Sequence, residues 1–190
     1  MQKPKKQQLT TKTLACCAVL AALSVVLARL LIPMPDSTTR FSIEAVPVFM
    51  AGMLFGPLAG GLVGFTADFV GCLFSPYGFN PIFTVPPILY GIFGGLMLPL
   101  FRKNVNFFRL LLGLLPPVVM GSVLYQSCAL AYVYYYETFV EGLLLKLSTR
   151  SVQFAITIVL DALVIDLLFR TKIFTRLGLW NPQRREQNDC

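Results

Sequence analysis

Between Ala45 and Ser75 the chain runs through thirty-one residues of almost unbroken apolar and small side chains, interrupted by one charge, Asp68. That is more than the ~20 residues that cross a bilayer core once and fewer than two full crossings need. Gly56, Pro57, Gly60 and Gly61 stand in the middle of it. Proline has no amide hydrogen to donate and glycine turns freely, so the run breaks there. The pattern predicts two short membrane helices joined by a tight turn, with Asp68 facing protein or water rather than lipid.

The rest of the composition agrees. The chain is 56% hydrophobic and only 13% charged over 190 residues, about half the charge of an ordinary soluble domain of ~25%. Its net charge of +7 accompanies apolar spans, so the membrane orientation rule accounts for it better than nucleic-acid binding does. No histidine is present, which leaves little basis for metal sites or imidazole acid–base catalysis. The five cysteines, Cys16, Cys17, Cys72, Cys128 and Cys190, lack metal-ligand spacing. They read as small membrane residues rather than disulfides. There is no GxxxxGK[ST] phosphate loop, no CxxC or HExxH pair and no obvious cleavable signal. The expectation is a protein that is not an enzyme, has no cofactor or metal of its own and hydrolyses no ATP.

Six spans are expected, over residues 13–32, 44–58, 60–75, 81–101, 110–136 and 151–169, giving an all-α integral membrane bundle. A basic cytosolic N-terminus over 1–12, a membrane domain over 13–175 and a polar cytosolic tail over 176–190 complete the organisation. With both termini inside, the cytosolic segments hold Lys3, Lys5, Lys6, Lys12, Arg102, Lys103, Arg109, Arg170, Lys172, Arg176, Arg184 and Arg185, leaving only Arg29, Arg40, Lys146 and Arg150 outside. This asymmetry predicts an N-in, C-in topology with outward loops at 33–43, 76–80 and 137–150. No internal repeat suggests an inverted-repeat carrier.

The outward half is rich in recognition chemistry. Tyr125 and Tyr132, seven residues apart, share a helical face beside Gln126, and that face is expected either to line a pocket or to pack in the bundle. Tyr134, Tyr135 and Tyr136 suit an interfacial aromatic belt. In the first span Ala15, Ala18 and Ala22 form a small-residue stripe, which lets another helix approach closely, either within the bundle or from a partner. Asp166 is four residues from Arg170 and can pair with it. Asp68 and Arg29 need a buried polar network, and Asp161 sits deeper with no evident partner.

The alanine-rich first helix and the block RFSIEAVPVFMAGMLFGPLAGGLVGFTADFVG resemble the S components of energy-coupling factor vitamin transporters, and among them most resemble the folate-specific kind. The likeness extends over most of residues 10–175. It implies a subunit of the bacterial cell membrane that binds a vitamin from outside. It also implies assembly with a membrane coupling (T) subunit and two cytosolic ABC-type ATPases, the only users of ATP, and release of the vitamin inward as the S component topples. In the family the first-helix small residues touch the coupling subunit, so Ala15, Ala18 and Ala22 become the expected interface.

Folate, if it is the ligand, makes three demands: aromatic faces for the flat pterin, amide or carboxylate partners for its amino-pyrimidinone edge, and Arg or Lys for the anionic glutamyl tail. Phe79, Phe83, Tyr125 and Tyr132 could stack; Glu44, Asn80 and Gln126 could read the edge; Arg40, Lys146 and Arg150 could hold the tail. Plainer readings exist for several of them. Arg40 and Glu44 could pair on one helix turn, Asn80 could simply start the helix at Pro81, Phe83 could be helix packing, and Arg150 an interfacial anchor. Alternatives for the whole chain are an S component for another vitamin or base, and a small intramembrane enzyme or scaffold.

Overall fold

The computed structural model describes residues 11–29, 32–33, 40–41, 43–74, 79–101, 105–134, 139–171 and 173–176. The basic N-terminal residues, most of the first and second outward loops, Tyr135, Tyr136, the tail from 177 and the side chains of Arg29, Arg40 and Tyr134 lie outside them. The described chain is helical except for one pair of two-residue strands. In order it runs α1 (Thr11–Arg29), β1 (Ile32–Pro33), β2 (Arg40–Phe41), α2 (Ala45–Phe55), α3 (Pro57–Leu73), α4 (Pro81–Leu96), α5 (Leu98–Phe101), α6 (Phe107–Pro117), a π-helical stretch (Val118–Tyr125), α7 (Gln126–Tyr134), α8 (Phe139–Arg170) and α9 (Ile173–Arg176). Three of these helical stretches are long and apolar enough to cross a membrane, one of them the continuous run from α6 through α7, and α2, α3 and α4 are shorter apolar helices.

The predicted break is where the sequence puts it. Gly56 takes φ 95°, a conformation that favours glycine, and Pro57 opens α3 at its first turn, where its missing N–H costs nothing. Every residue of α2 from Val46 to Leu54 is buried. Packed against α1, α3, α4 and α8, it is the helix that is apolar all round because no side of it meets solvent or lipid. Its eleven residues measure about 16 Å, roughly half the hydrocarbon thickness. Ser24 Oγ donates to the Glu44 carbonyl at 2.8 Å. That bond ties the start of α2 to α1 five residues short of the α1 end, about 7 Å back along that helix.

α2, α3 and α4 close on one another through glycines. A Cβ at Gly60 would strike the Gly91 carbonyl oxygen, one at Gly91 the Gly60 carbonyl oxygen, and one at Gly64 the Pro87 carbonyl oxygen. Backbone meets backbone here, which maximises van der Waals contact where lipid gives no hydrophobic drive between helices. Phe49 and Phe101, both fully buried, meet edge to face at 6.1 Å and fill the space beside this slab.

One expected boundary is corrected. Residues 139–150, expected as an outward loop, are the first three turns of α8, a helix of 32 residues. The hydroxyls of this segment are satisfied inside the helix: Ser148 and Thr149 donate to the Leu145 carbonyl at 3.0 Å and Ser151 to Leu147 at 2.6 Å. Back-bonded in this way they do not compete with the helical ladder. No proline interrupts the segment.

Candidate functional site

The extension of α8 decides where the functional side chains meet. Its buried positions recur every three or four residues: Gly142, Lys146, Arg150, Gln153, Thr157, Asp161 and Ile165. Five of these in succession are polar or charged, so the inward face of a membrane-length helix carries cations nearest Phe139, then an amide and a hydroxyl, then a carboxylate. Polar side chains at this depth are costly and gather where a bundle encloses a site.

Arg150 is 7% exposed. One terminal nitrogen donates to the Ser122 carbonyl at a long 3.5 Å, the guanidinium carbon lies 5.8 Å from the Phe154 ring centre, and Nε is buried without a hydrogen-bond partner. Ser122 belongs to the π-helical stretch that follows Pro116 and Pro117. Two adjacent residues without amide hydrogens open the α ladder there, and the wider i→i+5 turns follow, as such bulges often do at functional sites. Ser122 Oγ in turn lies 3.1 Å from the Tyr90 hydroxyl, reaching across from α4. Tyr90 is fully enclosed and within electrostatic reach of Asp161, Glu44 and Arg150. Asp161 is wholly buried (0% exposed), neither of its oxygens has a hydrogen-bond partner, and Glu44 is its charged neighbour. The cluster thus has a cationic end at Lys146 and Arg150, an acidic end at Asp161, and a tyrosine–serine pair beside Arg150, with Glu44 exposed at the start of α2. It can hold a ligand whose two ends differ in charge and hydrogen-bonding sense. Among the described residues no three His, Cys, Asp or Glu side chains form a metal-binding group.

The expected site residues divide. Lys146 and Arg150 are drawn into the buried cluster, as helix residues rather than loop residues. Glu44 stands at the start of α2, its backbone already helical. Arg40 lies in β2, opposite Pro33, so Arg40 and Glu44 do not share a helix turn. Asn80 accepts the Ile82 amide at 3.1 Å and caps α4, the plainer of its two readings. Phe79 is 43% exposed and packs edge-on against Phe69, itself stacked on Phe65, on the outer side of α3. Phe83 is half-buried along α4. Tyr125 is half-buried at the end of the π-helical stretch, and Gln126 is half-buried beside it. α7 buries Ser127, Leu130 and Ala131, and Tyr132 is 60% exposed.

Ala15, Ala18 and Ala22 are exposed along α1, whereas Cys17 and Ser24 on its other side are buried. Two carboxylates have local partners: Thr84 donates a hydrogen bond to Asp68 at 2.7 Å and Arg170 pairs with Asp166 at 2.6 Å. Tyr90, Ser122, Gln153 and Asp161 were missed as site residues. The spacing of 146, 150, 153, 157 and 161 carries the signal for Gln153 and Asp161 on α8, but it is legible only once 139–150 is taken as helix.

The family described as ECF-type riboflavin transporter, S component, matches residues 8–170. The folate transporter FolT of Clostridium novyi (strain NT) is 35% identical over 100 residues, half of this chain, and the match spans 54% of that protein. A crystal structure of FolT bound with folic acid superposes with a TM-score of 0.60 at 26% identity, covering 80% of this chain and 93% of that one. The chain belongs to the family of ECF-type transporter S components, and is with it a multi-pass membrane transport protein rather than an enzyme.

Proposed function

We propose that this chain is the folate-binding S subunit of an ECF transporter, taking folate from the outer side and delivering it inward when joined to a T subunit and two cytosolic ABC-type ATPases. The observation that carries the reading is the polar inward face of α8, with Lys146 and Arg150 buried at one end. A buried guanidinium with an unused donor matches a carboxylate, and the glutamyl tail supplies two. The likeness to proteins named for folate supports the same ligand. The exposed alanines of α1 support a helix-on-helix contact with the T subunit. The bias of Lys and Arg toward the even-numbered sides of six spans supports N-in, C-in topology. In the proposed site Lys146 and Arg150 hold the tail, Glu44 helps to read the pterin, and Arg40, Phe79, Asn80, Phe83, Tyr125, Gln126 and Tyr132 are at most peripheral.

The family name gives riboflavin a claim, but riboflavin is uncharged and offers no anion to the unused donor of the buried Arg150 guanidinium. Titration of the detergent-purified subunit alone discriminates between the two. Folic acid saturating one site at micromolar concentration or below, with riboflavin failing to compete, is the expected result. Riboflavin binding without folate binding would replace the assignment.

A further inference from the structure

The π-helical stretch Val118–Tyr125 is eight residues long, whereas π geometry ordinarily occupies a single turn inside an α-helix. Its covalent structure does not require it. Pro116 and Pro117 remove two donors, but in an α ladder the carbonyls left bare are those of Leu112 and Gly113, before the stretch begins. Every residue from Val118 to Tyr125 keeps its amide hydrogen. Gln126, the next residue, nevertheless donates to the Gly121 carbonyl, five residues back. Packing does not require Gly121 either: a Cβ there would meet Leu89 and Pro86 no closer than 3.4 Å, an ordinary contact.

The π register is held at Ser122. Its hydroxyl lies 3.1 Å from the Tyr90 hydroxyl and its carbonyl accepts from Arg150 at 3.5 Å, two contacts of modest strength. The register is opposed at Ser127. Elsewhere Thr66, Thr149, Ser151 and Thr157 each donate to the carbonyl four residues back, at 2.6 to 3.0 Å. Ser127, the second residue after the stretch, is wholly buried and its Oγ has no hydrogen-bond partner. In α geometry the Val123 carbonyl would stand beneath that hydroxyl, and i→i+5 turns set it aside. A small gain at Ser122 is matched by a small loss at Ser127, so two packings of one segment lie close in energy.

We infer that residues 118–127 form a register switch that moves α7 against α6. In the π register Ser122 meets Tyr90 and Arg150, and the guanidinium is set to receive an anion. In the α register Ser127 bonds to Val123, and Ser122 turns away from both partners. An anion on the unused Nε of Arg150 fixes the guanidinium, and with it the Ser122 carbonyl, so occupancy at α8 selects the position of α7. The identity of the anion rests on the folate reading above; the two registers do not.

Pulsed electron resonance on the full chain in detergent tests this, with nitroxides on Cys128, exposed on α7, and on Phe108→Cys, exposed at the start of α6, the other cysteines being replaced. Bonding to the fifth residue winds more residues into each turn, so the α register gives the longer distance. Ligand-free protein should show both distances, and saturating folic acid should leave the shorter. Without ligand, Arg150→Ala should shift the ratio of the two about fivefold toward the longer distance. Ser127→Ala, which removes what the α register gains, should shift it about fivefold toward the shorter, the equivalent of one hydrogen bond. A variant that folds and leaves the ratio unmoved, or moves it the opposite way, would overturn the inference, so either variant suffices if the other does not fold. Folic acid that fails to bind would remove the folate reading instead, and the ligand-free ratios would still decide the switch.

Discussion

The two halves of the bundle are built on opposite rules. The slab of α2, α3 and α4 is sealed by glycine contacts between backbones, and its embedded carboxylate, Asp68, is bonded to Thr84. The wall formed by α8, the π-helical stretch and Tyr90 keeps polar side chains inside, with Arg150 Nε and both Asp161 oxygens unsatisfied. Stability is concentrated where nothing needs to be recognised, and unsatisfied chemistry where something does. Substitutions should therefore separate cleanly: changes in the slab should cost the fold, and changes in the wall should cost the ligand.

The largest effect belongs to Gly91→Val. The new Cβ would fall on the Gly60 carbonyl oxygen, which no rotamer change can move aside, so the cost exceeds the ~1–3 kcal/mol of ordinary overpacking. The variant should lose its monodisperse peak in size-exclusion chromatography, whereas Gly71→Ala, with nothing within 4 Å of the added carbon, should behave as wild type. A well-behaved Gly91→Val protein would mean that the slab is not closed by backbone contact.

Arg150→Ala should do the reverse. Truncating a buried charge that meets an anion costs about 2–5 kcal/mol of binding, so folate affinity should fall roughly 30-fold or more. Thermal stability should hold or rise, because the removed group is desolvated and poorly compensated in the protein alone. Arg150→Lys should recover part of the loss, a point charge replacing a fork. Falling stability together with falling affinity would place Arg150 among the structural residues and erase the contrast.

Much of the slab could be read from residues alone. Gly56-Pro57 and the glycines after it announce the turn because each has a local mechanism that needs no neighbour. The small-residue stripe of α1 was legible for the same reason, as were Asp166 and Arg170, whose pairing is set by helical spacing. The wall was harder. Lys146 and Arg150 looked like loop residues because a charge usually ends a span, and only packing against the π-helical stretch brings them inside. The π turns depend on where the chain opens after Pro116 and Pro117. The exposure of Tyr132 depends on which side of α7 meets α8. These are tertiary decisions, and the residue types are compatible with either outcome.

Ala18→Leu with Ala22→Leu lies on neither side of the contrast, since both positions face outward on α1. Bulk there should leave stability and folate affinity unchanged within about twofold, a surface effect of at most ~0.5 kcal/mol. Capture of the T subunit, and uptake by the reconstituted transporter, should fall about tenfold or more as close helix contact is lost. Loss of folate binding in this variant would show that α1 packs inward along this stripe.

The smallest effect is the most diagnostic of how the wall is organised. Tyr90 is proposed to touch the ligand's charged tail only through others: its hydroxyl meets Ser122 Oγ, and the Ser122 carbonyl meets Arg150. Tyr90→Phe removes one hydrogen bond, worth about 1 kcal/mol, and keeps the ring that fills the space between α4 and the π-helical stretch. Folate affinity should therefore drop only about threefold to fivefold, the equivalent of that energy. If Tyr90 acts by holding the π-helical carbonyl in place for Arg150, the same substitution made in the Arg150→Ala background should have no further effect on affinity. Additive losses in the double variant would mean that Tyr90 meets the ligand itself instead of acting through Arg150.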